Sequence, residues 1–303
     1  MGRGAIGGGG GCGRRGLVAH LVRLPIVSTS RPAHLTVLDV REVTPHLKRL
    51  VLGDGEVARG FDELAGRWSG WADSYVKLVF LADGVDYPDP LDLDEVRATL
   101  PNEVWPVLRT YTVRRLDLEA RELWIDVVVH GDEGVAGPWA AQVRPGATIH
   151  VRGPSGAYSP REGVDHHLLV GDESALPALA VALEHLPEGA RATLFCEVDD
   201  ARDEIDLPTA GEVTVHWLHR GDAPAGSTSL LDDAVRAWDW PEGRVQAFVH
   251  GESGLLKTVR PYVRERVERA DLSVSAYWRR GETEEGFRRW KSSQDEAIIR
   301  PGG

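Results

Sequence analysis

The apolar pattern of this chain of 303 residues changes period once, near residues 158–164, and that change restricts the folds open to it. Before it, short runs rich in β-branched and aromatic residues (35–40, 47–52, 75–80, 108–113, 123–129 and 148–152) are separated by Gly, Asp and Pro turns. Runs of this kind pair antiparallel, and six of them are enough to close a small barrel. After it, apolar strands at 165–170, 191–198, 212–218, 244–249 and 272–277 alternate with helical stretches at 175–186, 229–238 and 254–270. Strand-helix alternation predicts a parallel, doubly wound sheet. The chain therefore reads as a tail over 1–32, a β-barrel over 33–160 and an α/β unit over 161–303, two domains as the length suggests.

Two segments fall outside this scheme. Residues 83–106 hold Pro88, Pro90, Pro101 and Pro106 among acidic residues and read as a loop with one short helix at 92–100; a loop beside a site can serve as a lid. The amino end is glycine-rich, with Arg3, Arg14 and Arg15 ahead of an apolar run that His20, Arg23 and Pro25 interrupt. It lacks the form of a secretory signal and reads as a disordered tail.

The formal charge of -12 argues against a nucleic-acid partner, whose footprint is a basic face, while allowing a local basic pocket. Two cysteines, Cys12 and Cys196, form no disulfide framework. No apolar stretch approaches the roughly 20 residues of a membrane span. There is no G-x-S-x-G, H-E-x-x-H or CxxC pattern, and the histidines show no metal-ligand spacing, so any redox work falls to a cofactor.

Arg109-Thr110-Tyr111-Thr112 lies in a strand, where alternate side chains share a face. Arg109 and Tyr111 thus point together, an arginine that can fork onto a phosphate and a ring that can lie against a flat heterocycle. Thr112 faces the other side or bonds through its backbone. Next, Val128-Val129-His130-Gly131 ends a strand and runs through Gly134-Val135-Ala136-Gly137-Pro138 to Trp139-Ala140. A small-residue turn opening a helix presents free backbone N–H groups to a pyrophosphate. Three further stretches stand at strand ends: Gly171-Asp172-Glu173-Ser174-Ala175-Leu176-Pro177-Ala178, Phe248-Val249-His250-Gly251-Glu252 and Tyr277-Trp278-Arg279-Arg280-Gly281. Ligands in parallel sheets bind at such ends.

These motifs, in this order, resemble those of the siderophore-interacting proteins, the ferric-siderophore reductases of the ferredoxin-reductase superfamily. R-x-Y-T, G-D-E-[ST]-A-[LI]-P-A and Y-W-R-x-G match closely. Val135 and Gly137 replace the proline and serine of the family's G-P-A-S-x-W-A, and Phe248 replaces the tryptophan of W-x-x-G-E. Loss of the serine hydroxyl shifts phosphate contacts towards backbone and Arg109.

The resemblance implies a flavin-binding β-barrel followed by a Rossmann-like nicotinamide-binding domain in a cytoplasmic protein. It also implies FAD as cofactor, NADH, NADPH or a ferredoxin as donor, and a ferric siderophore as substrate. Cofactor contacts are expected from Arg109, Thr110, Tyr111, Thr112, Val128, Val129, His130, Gly131, Ala136, Gly137, Trp139, Ala140, Gly171, Asp172, Glu173, Ser174, Ala175, Gly251, Glu252, Tyr277 and Trp278. Lys77, in Tyr75-Val76-Lys77-Leu78, fits the family's H-x-K-L with Tyr75 for histidine. With Arg279 and Arg280 it is the expected contact to an anionic ferric complex. Glu197, Asp199 and Asp200 favour NADH, while Arg202 and the Arg279-Arg280 pair favour NADPH; the sequence leaves the donor open. Two alternatives are a flavin reductase or electron-transfer subunit serving an oxygenase, and a non-catalytic siderophore-binding accessory protein.

Overall fold

The computed structural model describes residues 30–129, 134–282, 286, 287, 289–291 and 293. The expected tail over 1–32 lies outside it except for residues 30–32. Ser30 is buried, and its carbonyl accepts the Leu93 N–H at 3.0 Å.

Six antiparallel strands close a barrel in the order β1-β2-β5-β4-β3-β6. They are β1 (Ala33–Thr44), β2 (Leu47–Gly53), β3 (Tyr75–Phe80), β4 (Val107–Asp117), β5 (Glu122–Val128) and β6 (Thr148–Ser155). Alternation supplies the interior: Leu35, Val37, Leu50, Leu52, Val76, Leu78, Leu123, Ile125 and Val151 are buried in one cluster. A short helix the sequence reading missed, α1 (Phe61–Ala65), adds Phe61 and Leu64 to that core. Asp54 fixes its start by accepting the Gly60 and Phe61 N–H groups at 2.9 and 3.0 Å.

The expected short helix is present as α2 (Leu93–Thr99), capped by the Asp92 carboxylate. The segment around it is no free lid. Leu91, Leu93 and Val96 are buried with Val79 and Leu108 of the barrel wall, and the Tyr87 hydroxyl donates to the Val104 carbonyl at 2.5 Å. Burying several apolar side chains costs more to reverse than a swinging loop allows. The third helix, α3 (Ala136–Gln142), lies against β2 and β5.

The second half is a five-stranded parallel sheet in the order β11-β10-β7-β8-β9. Its strands are β7 (His166–Asp172), β8 (Arg191–Val198), β9 (Glu212–His219), β10 (Val245–Glu252) and β11 (Leu272–Trp278). The helices between them are α4 (Leu176–Glu184), α5 (Leu230–Ala237) and α6 (Val259–Arg264). The single helix expected over 254–270 is broken into a 3-10 turn at Ser253–Leu256, α6, and a second 3-10 turn at Arg269–Asp271. Pro261 tolerates only the first turn of a helix, so α6 starts just before it. Strand order reverses between β7 and β10, which makes their carboxyl ends the switch point of the sheet.

The halves share a core. Leu47, Ala72 and Tyr158 are buried in one cluster with Leu176, Leu179 and Phe248. Arg114 of β4 pairs with Glu184 of α4 at 2.5 Å, and His46, in the β1–β2 turn, meets Asp203 at 2.9 Å.

Candidate functional site

The barrel wall opens along the first half of β4. Residues 107–112 pair with β3, but β4 pairs with β5 only from Val113 onward, past a register shift between Val113 and Arg115. The last residues of β5, Asp126 to Val128, pair with β2 alone. The two strands diverge there, leaving a seam whose β4 margin carries backbone groups outside that ladder.

Register fixes what faces which way, because directly opposed residues of an antiparallel pair share a face. Arg109 lies opposite Leu78 and Tyr111 opposite Val76, so both look to the side of the barrel interior, and Tyr111 packs on its core. Arg109 is half-buried, and one of its guanidinium N–H groups donates to the Leu108 carbonyl at 3.2 Å. Thr110 opposes Lys77 and Thr112 opposes Tyr75, on the outer face; Thr110 is exposed and Thr112 buried.

Across the seam, Val128 ends β5, and the Val129 N–H donates to the His46 carbonyl at 2.8 Å. His130 and Gly131 lie outside the described residues. The start of α3 has no side-chain cap, and a Cβ at Gly134 or Gly137 would meet no atom within 4 Å, so this backbone borders open space. The other residues of the turn hold it in place. Ala136 and Ala140 are buried in the barrel core, and Trp139 packs edge-on against Phe80 at 5.4 Å. A guanidinium, an aromatic ring, an open strand margin and a glycine-lined turn match the parts of a dinucleotide: phosphate, flat ring and polar ring edge. The seam fits FAD.

At the switch point, Asp172 ties three strand ends together. Its carboxylate accepts from the Ser174 N–H (2.9 Å) and hydroxyl, the Glu252 N–H (2.8 Å) and the Trp278 indole N–H (2.9 Å). Burial pushes its pKa up against the pull of these donors. Close approach requires glycine nearby. A Cβ at Gly171 would lie 2.7 Å from Ala175 and from the His250 carbonyl, and one at Gly251, whose φ is 146°, would lie 2.8 Å from Asp172. Ala175 is fully buried, opening α4. Tyr277 meets His250 edge-on at 5.0 Å and packs on the core that the two halves share.

The expected cations divide. Lys77 stands in a row with Thr110 and Arg152, on adjacent strands β4, β3 and β6, on the face opposite Arg109 and Tyr111. Arg279 lies over the Trp290 ring at 5.2 Å and within 4.0 Å of Glu282. Arg280 is exposed, with its N–H on the Glu252 carboxylate at 3.1 Å. Arg152 was missed because its pairing with β3 is non-local; its only signal is the alternation of 148–152.

Glu173 turns away from Asp172. It accepts from Arg220 (3.0 Å) and from the Asp199 N–H (3.0 Å) and lines a separate pocket of about 380 Å³ with His46, Asp199, Arg220 and Asp222. Among the described residues, His46, Glu173 and Asp203 also place potential metal-ligand atoms within 4.8 Å of one another, though each already has a protein partner. Residues 46, 173 and 203 are too far apart in sequence for spacing to have revealed that group.

Comparison with known proteins agrees with this fold. The family described as siderophore-interacting FAD-binding domain matches residues 36–158, and that described as siderophore-interacting protein matches residues 164–281. An uncharacterised protein of Mycobacterium tuberculosis is 46% identical over 88% of this chain and 97% of its own length. The ferric vibriobactin reductase ViuB of Vibrio cholerae is 31% identical over 68% of this chain and 83% of its own. A siderophore utilization protein from T. fusca superposes with a TM-score of 0.68 at 39% identity, covering 82% of this chain and 93% of that one. A ferredoxin-NADP+ reductase from Plasmodium falciparum, at 10% identity, shares the two-part fold with a TM-score of 0.58 over 83% of this chain and 99% of its own.

Proposed function

Since the chain belongs to the siderophore-interacting protein family, we propose that it is an FAD-dependent ferric-siderophore reductase, moving electrons from NADH, NADPH or a ferredoxin to siderophore-bound Fe(III). The observation that carries this reading is the seam itself. Arg109 and Tyr111 stand on one face of an opened strand, and Thr110, Lys77 and Arg152 stand on the other.

FAD bound there would supply the one chemistry the side chains lack, accepting a hydride and releasing electrons one at a time. The chain positions and insulates. Arg109 and the amides near Gly134 and Gly137 would bind the pyrophosphate, and Tyr111 would lie against the ring system. Thr110 and Thr112 would flank the ring edge. Asp172 holds Trp278 and Glu252 at the switch point, and Tyr277 packs on the core shared by the two halves. Lys77 and Arg152 give a mostly acidic protein a local positive row for an anionic ferric complex. One NADH reduces two ferric complexes, yielding NAD+, a proton and two Fe(II). Hard oxygen ligands hold Fe(II) weakly, so reduction releases it.

An anaerobic assay tests this. The purified protein should be yellow, bleach with NADH, NADPH or reduced ferredoxin, and recolour on addition of a ferric siderophore while a chelator traps Fe(II). A colourless protein that takes up no FAD rules the reading out. A flavoprotein that passes electrons to free flavin but never to ferric siderophores is instead a general flavin reductase.

A further inference from the structure

The pocket lined by Glu173, Asp199, Arg220 and Asp222 is not part of the flavin seam, and its charges are arranged for a different task. We propose that it receives the adenosine end of the nicotinamide donor and selects against a 2′-phosphate, so that this protein uses NADH in preference to NADPH. The inference rests on the reading above only in taking a pyridine nucleotide as donor.

Position comes first. Asp199 directly follows β8 and Arg220 directly follows β9, so the pocket opens at the carboxyl ends of parallel strands, next to the switch-point strand β7 that carries Glu173 just past its end. Nucleotides lie along such ends, and the residue after the second strand meets the adenosine ribose. A volume of about 380 Å³ accommodates a ligand fragment of that size. The loop over it is tied to the sheet by the Arg220 and Gly221 N–H groups, which donate to the Val198 and Asp199 carbonyls at 3.0 Å.

Charge then decides the selectivity. A 2′-phosphate needs an available cation, and a bare diol needs an acceptor. Arg220 is nearly buried, and its guanidinium sits 3.0 Å from Glu173 and 3.2 Å from Asp199, so two carboxylates already satisfy it. Asp222 adds a third negative charge to the lining. His46, the remaining basic side chain there, directs Nδ1 to Asp203. The cations that left the donor open in the sequence do not line the pocket. Arg202 folds back onto Asp200 at 2.6 Å and is largely exposed, and Arg279 packs on Trp290 beyond β11. A phosphate dianion entering here would meet carboxylates and a guanidinium already paired with two of them, whereas Asp199 can accept from ribose hydroxyls.

Calorimetric titration of the full-length protein with ADP-ribose and with 2′-phospho-ADP-ribose tests the pocket without requiring flavin. ADP-ribose should bind at least about tenfold more tightly. Asp222→Arg, at an exposed loop position, should shift the affinity ratio about tenfold towards the 2′-phosphorylated ligand. In the FAD-loaded protein, stopped-flow bleaching should be correspondingly more efficient with NADH than with NADPH. Equal or tighter binding of the 2′-phosphorylated ligand overturns the inference, as does failure of both ligands to bind at millimolar concentration or failure of Asp222→Arg to shift the ratio. The reductase reading fails on different results, loss of flavin uptake or of reoxidation of the dithionite-reduced protein by ferric siderophore.

Discussion

Replacing Asp172 with alanine removes the acceptor on which three strand ends converge. The N–H groups of Ser174 and Glu252 and the indole N–H of Trp278 lose their partner together; the Ser174 hydroxyl can turn elsewhere. A buried donor left unsatisfied costs about 1–3 kcal/mol. Taking the low end for each of the three, because the site adjoins the cleft, gives a loss of about 3 kcal/mol, partly offset by no longer burying a charge. With a urea dependence of about 3 kcal/mol/M, the unfolding midpoint should fall by roughly 1 M. Asp172→Asn should cost less, about 1 kcal/mol, since its oxygen still serves one pair of donors while its amide opposes the other.

The two variants also differ from wild type in pH dependence. Burial raises the folded-state pKa of Asp172 above its unfolded value, so the folded protein binds that proton more tightly. Stability is therefore lost as pH rises from the ordinary carboxylate range through the raised folded value, and both variants should lack that slope. The assay is urea unfolding followed by tryptophan fluorescence at several pH values. An Asp172→Ala protein with an unchanged midpoint, or a wild type with the opposite slope, refutes the reasoning.

Three other outcomes can be checked directly. Arg109→Ala should weaken FAD retention about 10- to 100-fold in equilibrium dialysis, the worth of a charge-assisted phosphate contact. Lys77→Ala should raise KM for anionic ferric complexes more than for neutral ones; equal effects would take Lys77 out of the substrate site. His46 has its pKa raised by the hydrogen bond to Asp203, so the latch it forms between the halves stabilises fully below the unfolded histidine pKa and fades as pH rises through the folded one. Because His46 is a third exposed, His46→Gln should lower Tm at pH 5.5 by only the equivalent of about 0.5–1 kcal/mol, and by less at pH 8.

The sequence was most legible where structure is local. Hydrophobic period distinguishes barrel from α/β sheet, and strand alternation put Arg109 with Tyr111 and apart from Thr112, because φ/ψ geometry dictates those relations within a few residues. It was least legible at α1 and in 254–270, where a five-residue helix and a six-residue helix flanked by 3-10 turns carry too little periodicity to register.

Motif order likewise located the strand ends but not their partners. Asp172 and Glu173 are neighbours in the chain, yet one faces Trp278 at the switch point and the other faces Arg220 in a second pocket. Lys77 gained Arg152 as a neighbour and was separated by the sheet from Arg109. Which carboxylates neutralise Arg220 depends on side chains that stand just past the ends of β7 and β8. Pairing between distant segments is settled by strand register and packing. No window of sequence contains it.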